Sequence, residues 1–145
     1  MDRIEDCLSF VLGKAYQHVQ QEAKRRLAPH GVTPAQYAVL RVLWERDGQS
    51  ASDLGTRLVL DSATMTGLVD RLSQAGLVER RPHAADRRVH LVYLTDAGGA
   101  LQAPLDAAMD ALNADAAARL GPDRLARLRA TLRALASSAA AGAAP

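Results

Sequence analysis

The chain has 145 residues, 48% of them apolar and 3% aromatic, and a net charge of only +2. A single cysteine excludes an internal disulfide framework and any multi-cysteine metal centre, and no apolar run reaches the roughly 18 residues of a membrane span. Alanine, about a fifth of the chain, favours closely packed helices over a sandwich or barrel, which needs many β-branched and aromatic strand residues.

The first predicted helix covers 3–27. Ile4, Cys7, Leu8, Val11, Leu12, Ala15 and Val19 recur at three- and four-residue steps, and Pro29 and Gly31 end it. A second helix opens at Thr33-Pro34-Ala35-Gln36. Thr33 can cap, Pro34 suits the first helical position, and Gln36 completes a capping box. Tyr37, Leu40, Leu43 and Trp44 follow on one face, and Asp47-Gly48 breaks the helix. Ser50 caps a short third helix to Leu58, and Asp61-Ser62 caps a fourth over 63–75. Its inward residues are Met65, Leu68, Val69 and Leu72, and Gly76 is its left-handed terminator. Two short helices so closely joined have helix-turn-helix spacing.

The period then changes. Residues 77–81 are extended, 82–86 turn, and Arg88–Leu94 form a strand with Val89, Leu91 and Tyr93 on one face. The result is a β-hairpin that must pack on the helices to be stable. Thr95-Asp96 caps a long fifth helix to about Leu120, kinked by Pro104. Gly121-Pro122-Asp123 stops and restarts the chain into a sixth helix to about Ser138, with Leu125, Leu128, Leu132 and Leu135 in one stripe. The tail, 139–145, is expected to fray. The fold class is therefore mainly α with a small β-hairpin wing.

Charge is concentrated where the period changes. Residues 79–93 hold Arg80, Arg81, Arg87 and Arg88 against Glu79 and Asp86, a local +2. The fourth helix carries Ser62, Thr64 and Thr66 in its first turns, then Arg71. Short hydroxyls at a helix start can reach phosphates and base edges without filling a groove. The set fits a recognition helix in the major groove of double-stranded DNA, with a basic wing in an adjacent minor groove. No phosphate-binding loop, dinucleotide fingerprint, zinc-protease helix or serine elbow is present. Catalytic residues, metal ligands and cofactors are accordingly expected to be none. The N-terminus lacks a basic segment followed by an apolar run, so no secretory leader is expected and the expected compartment is the cytoplasm.

Several motifs together resemble the multiple-antibiotic-resistance regulator (MarR) family. They are Leu54-Gly55-x-x-Leu58, Leu60-Asp61-Ser62-Ala63-Thr64-Met65-Thr66, Arg71-Leu72-x-x-Ala75-Gly76-Leu77-Val78-x-Arg80, Asp86-Arg87-Arg88 and Leu94-Thr95-x-x-Gly98. The resemblance runs along nearly the whole chain. It implies one winged helix-turn-helix domain over 1–145, with a DNA-binding lobe at 33–95 and helical dimerisation regions at 1–30 and 96–140. It further implies a homodimer on a pseudo-palindromic operator, with half-sites about 10 base pairs apart. Such a protein usually represses transcription until a small molecule or oxidant releases it. By the D-x-R pattern, Asp86 orients the wing and Arg88 enters the minor groove, where a narrow A·T-rich tract favours a guanidinium.

The wording Leu-Asp-Ser-x-Thr-x-Thr is similar to that of the organic-hydroperoxide-responsive members. Their reactive cysteine falls at Ser9 here, and their tyrosines fall at Gly13, Ala23 and Pro34. Cys7 lies two residues earlier, roughly 200° around a helix, and its acidic neighbours Glu5 and Asp6 are expected to raise its pKa. A small effector, an aromatic acid or its thioester, is therefore expected between the first two helices and the fifth. Ser9, Phe10, Tyr16, His18, Tyr37, Arg41 and Trp44 are the candidate pocket residues, with Arg41 or His18 meeting a carboxylate. Tyr37 and Trp44 at such positions are more often core than ligand contacts, and His18 is more often an exposed histidine. Two alternatives stay open: a redox-responsive repressor acting through Cys7, and a winged-helix protein-interaction module.

Overall fold

The computed structural model describes residues 3–141. Seven α-helices and three short strands follow one another among them: α1 (Leu8–Leu27), α2 (Pro34–Glu45), β1 (Gln49–Ser50), α3 (Ala51–Leu58), α4 (Ser62–Gln74), β2 (Val78–Pro82), β3 (His90–Leu94), α5 (Asp96–Ala100), α6 (Gln102–Leu120) and α7 (Pro122–Ala141). The chain divides into two compact units, Met1–Ala108 and Met109–Pro145.

Local chemistry sets most boundaries. Thr33 caps α2 through a complete capping box with Gln36. Ser50, Asp61 and Thr95 each accept the backbone N–H three residues on, starting α3, α4 and α5. These bonds satisfy N–H groups that a helix start leaves without partners. Gly31, Gly76 and Gly121 take positive φ where the chain leaves a helix.

In the first unit, Leu27, Leu40, Leu43, Leu54, Met65 and Leu72 are fully buried, and Leu105 of α6 joins them. This core fixes α3 and α4 against α2. The strands form an antiparallel sheet in the order β1-β3-β2, with Val78 opposite Leu94 and Pro82 opposite His90.

Five sequence expectations are revised. The first helix is not continuous from residue 3: a 3-10 turn, Ile4–Asp6, precedes it, and Cys7 between them is extended (φ −77°, ψ 115°). A third strand, β1, pairs Gln49 with Val92 and Ser50 with Leu91. Leu91 and Tyr93 share a face, but the buried residue of β3 is Val92 on the other face, and Val89 stands outside the strand. The long fifth helix is two helices, α5 and α6, broken at Leu101 rather than bent at Pro104. A proline clashes with the carbonyl four residues back, here Ala100, so the interruption appears one turn upstream. Finally, α7 continues to Ala141, into the expected frayed tail; residues 142–145 lie outside the described residues.

Candidate nucleic-acid interface

Asp61 organises the start of α4. Its carboxylate accepts the Thr64 backbone N–H at 2.8 Å and the Thr64 hydroxyl at 2.7 Å. These bonds, the backbone one first, hold its pKa below the ordinary carboxylate value. The Thr64 hydroxyl is thus turned back to the cap, whereas Ser62 and Thr66 are exposed beside it. Arg71, also exposed, lies back along the helix over Gly67, whose missing side chain leaves room for the guanidinium.

The wing carries the strongest local geometry. Asp86 accepts the Arg88 backbone N–H at 3.1 Å and grips its guanidinium twice, Nε at 3.1 Å and Nη2 at 3.2 Å. Arg88 thereby lowers the Asp86 pKa through its side chain first and its backbone second. The Arg88 side chain is 92% exposed. A guanidinium has five N–H groups; two face Asp86 and three remain. A turn closed by His83 N–H to the Val89 carbonyl, at 2.8 Å, and by Val89 N–H to the Asp86 carbonyl, at 3.0 Å, carries this pair. Arg87 is exposed beside it.

The other two wing arginines are partly engaged. Arg80 reaches across to Asp70 of α4 at 2.7 Å, tying wing to helix. Arg81 pairs with Glu79 and stacks over the Tyr93 ring at 4.6 Å. Asp70 and Tyr93 are partners that the sequence did not suggest, because both contacts join separate elements.

The candidate effector residues fall into separate groups. Tyr37 donates to Asp106 Oδ1 at 3.0 Å, and Arg41 to Asp106 Oδ2 at 3.3 Å. Trp44 donates its Nε1–H to the Gly98 carbonyl at 3.1 Å and meets Tyr37 edge to face. On α1, Ser9 and Phe10 line one shallow depression, and Phe10 and His18 line a second. Lys14 lines both, a residue missed in the sequence although Phe10, Lys14 and His18 share i, i+4 spacing. Tyr16 is exposed.

Cys7 departs from expectation in two ways. It is not on the helix, so the 200° rotation does not separate it from Ser9: Sγ and Oγ are 3.1 Å apart. Its pKa is lowered, not raised, by the Ser9 side chain first and by the Phe10 backbone next.

The MarR family model matches residues 32–90. TtmR of Methylorubrum extorquens, an HTH-type transcriptional regulator, is 42% identical over 65% of this chain. The organic hydroperoxide resistance transcriptional regulator of Bacillus subtilis is 32% identical over 69% of this chain and 68% of its own length. The chain spans about 45% of TtmR's length and 63% of that of MhqR from Bacillus subtilis. Among solved structures, a probable transcriptional regulator from Pseudomonas aeruginosa is 33% identical, with a TM-score of 0.87 over 92% of this chain and 99% of its own. CouR is similar both bound to a 23-mer DNA duplex (28% identity, TM-score 0.83) and, from Rhodococcus jostii, bound to p-coumaroyl-CoA (27%, 0.82). Each CouR match covers 94% of this chain and 96% of the CouR chain. The chain belongs to the MarR family, and its fold is the winged helix-turn-helix.

Proposed function

We propose that this MarR-family chain is a sequence-specific double-stranded-DNA-binding transcriptional regulator of the cytoplasm. It acts as a homodimer on a pseudo-palindromic operator and is a repressor released by a small ligand. The observation that carries the reading is the wing tip: Asp86 holds Arg88 by three hydrogen bonds while leaving its side chain 92% exposed. An arginine oriented at the backbone and still open to solvent suits insertion into a narrow minor groove, where negative potential is focused. Ser62, Thr66, Thr64 and Arg71 of α4 read or position the major groove, and Arg80, Arg81 and Arg87 neutralise flanking phosphates.

The lobe is 33–95, and the helical regions 1–30 and 96–140 dimerise. Apolar side chains left exposed on α1 (Leu8, Val11, Val19) and, separately, on α7 (Leu128, Leu132) support that assignment. The ligand is an aromatic acid or thioester, a class suggested by CouR's p-coumaroyl-CoA. Release by oxidation of Cys7 is the second reading, favoured by the Ser9 contact that lowers the thiol pKa.

Fluorescence anisotropy with promoter duplexes across a salt series tests the main reading. Arg88→Ala should bind about tenfold or more weakly, with a salt slope shallower by about one. Equal binding by wild type and variant removes the wing from the interface. A peroxide response lost in Cys7→Ser alone selects the redox reading; the same response in both proteins discards it.

A further inference from the structure

Val59, the last residue before the α3–α4 turn straightens, sits where neither its backbone nor its burial suits it. Its φ of 55° and ψ of 48° place it in the left-handed region. Among the described residues it is the one non-glycine residue with positive φ. A β-branched side chain crowds its own backbone there, and glycine or asparagine would not. The side chain gains nothing from the core in exchange, because it is 89% exposed.

The turn itself does not need a valine. Leu60 N–H bonds to the Gly55 carbonyl at 2.9 Å, and Val59 N–H to that of Thr56 at 3.4 Å. A Cβ on Gly55 would stand 3.1 Å from the Leu60 carbonyl oxygen, so the chain already passes tightly here. Those are backbone features, available to any residue that tolerates the conformation.

The isopropyl group stands in a notch shared with Ser52, Thr56, Leu60, Asp61, Ser62 and Thr66. Two of these, Ser62 and Thr66, belong to the proposed DNA-facing surface, so the notch continues that surface. Four hydroxyls ring this apolar knob, and the one carboxylate among them, Asp61, is turned to the Thr64 N–H and hydroxyl; the ligand this suits is a sugar-phosphate strand. The hydroxyls suit phosphate oxygens, and the knob suits the apolar face of a deoxyribose.

We propose that Val59 is a DNA-contact residue, packing its two methyl groups against a deoxyribose of the strand that passes through this notch beside α4. The proposal rests on the DNA-binding reading above and assigns that reading a contact outside the wing and the recognition helix. A backbone contact of this kind sets how the strand seats and adds affinity for any sequence.

The test compares wild type, Val59→Gly and Val59→Thr on two duplexes. One is the duplex that wild type enriches from a randomised pool, and the other is a scrambled duplex. Glycine is at ease at this φ and carries no side chain; threonine keeps the branched shape. Val59→Gly is expected to melt at or above the wild-type temperature. It should bind both duplexes about tenfold more weakly, the scale of two methyl groups left in water. Its salt slope should not change, because no phosphate contact is lost. Val59→Thr should stay within about threefold of wild type. Unchanged binding by Val59→Gly overturns the proposal. So does a binding loss accompanied by a lower melting temperature, which would give Val59 a folding role instead. A wild type that enriches no duplex overturns the DNA-binding reading itself, a separate outcome from either.

Discussion

Gly98 and Gly99 are adjacent in α5, yet alanine at the two positions should act with opposite sign. A Cβ on Gly98 would lie 2.0 Å from the Leu77 carbonyl oxygen and 3.1 Å from its carbon. The obstacle is backbone, so no rotamer change relieves it. The same carbonyl accepts the Thr95 N–H at 3.1 Å, joining the chain ahead of β2 to the cap of α5. Moving it by the ångström or so required strains that bond and shifts the root of the wing. Overpacking costs about 1–3 kcal/mol and a disturbed backbone hydrogen bond about 1 more. Gly98 also presents the carbonyl that Trp44 uses. By contrast, nothing lies within 4 Å of a Cβ on Gly99, and its φ is ordinary. Alanine there should stabilise by about 0.5 kcal/mol through helix propensity and reduced freedom of the unfolded chain. The two variants should thus differ by about 3 kcal/mol, on the order of 10 °C in melting temperature for a chain of this size. Thermal melts of both variants beside wild type read the difference directly. A Gly98→Ala protein as stable as Gly99→Ala would refute the reasoning, because the backbone approach would then be slack. The glycine of the Leu94-Thr95-x-x-Gly98 motif is explained by that contact, not by turn geometry.

Two further outcomes follow from the helices that support the wing. Tyr37→Phe removes the donation to Asp106 while keeping the ring against Trp44; it should lower the unfolding free energy by about 1 kcal/mol, seen as a lower denaturant midpoint at unchanged m-value. An unchanged midpoint would mean that Arg41 alone satisfies Asp106. The Asp61 cap should be pH-sensitive in one direction. Its folded pKa is depressed below 3.8 by the Thr64 N–H and hydroxyl, so the stability it gives α4 is full above that value and is lost as pH falls through the depressed one. The Thr64 amide should therefore titrate in NMR spectra with a midpoint under 3.8; a midpoint above it contradicts the cap geometry.

What the sequence made legible was local. Thr33, Ser50, Asp61 and Thr95 each announce a helix because the capping bond spans three residues, and all four form. The D-x-R wing is legible for the same reason, since Asp86 and Arg88 are two residues apart. The misreadings are non-local or turn on register. β1 has two residues and exists only because β3, some forty positions later, supplies its partner. Val92 rather than Leu91 faces inward because α-helices packed beneath β3 decide which side is buried, and alternation alone cannot name the side. A helical wheel sets Cys7 apart from Ser9, but the wheel does not apply to a residue extended between a 3-10 turn and α1.

The effector residues show how a correct chemical reading can meet an internal partner. A guanidinium suits a carboxylate, and Arg41 does bind one, that of Asp106, which Tyr37 also holds. An anionic ligand aimed at Arg41 therefore meets a guanidinium whose charge Asp106 and Glu45 already offset, which lowers the gain from pairing with it. Lys14 on α1 makes no ion pair among the described residues and stands between Phe10 and His18, in a depression whose one carboxylate, Glu5, pairs with Arg3. An apolar ring beside an uncommitted cation suits the proposed aromatic acid better than the Tyr37–Arg41 cluster does. A ligand that protects α1 amides from hydrogen exchange, and loses affinity in Lys14→Gln but not in Tyr37→Phe, would place the effector on that strip. The reverse pattern would return it to α2 and show that ligand and Asp106 exchange places on Arg41.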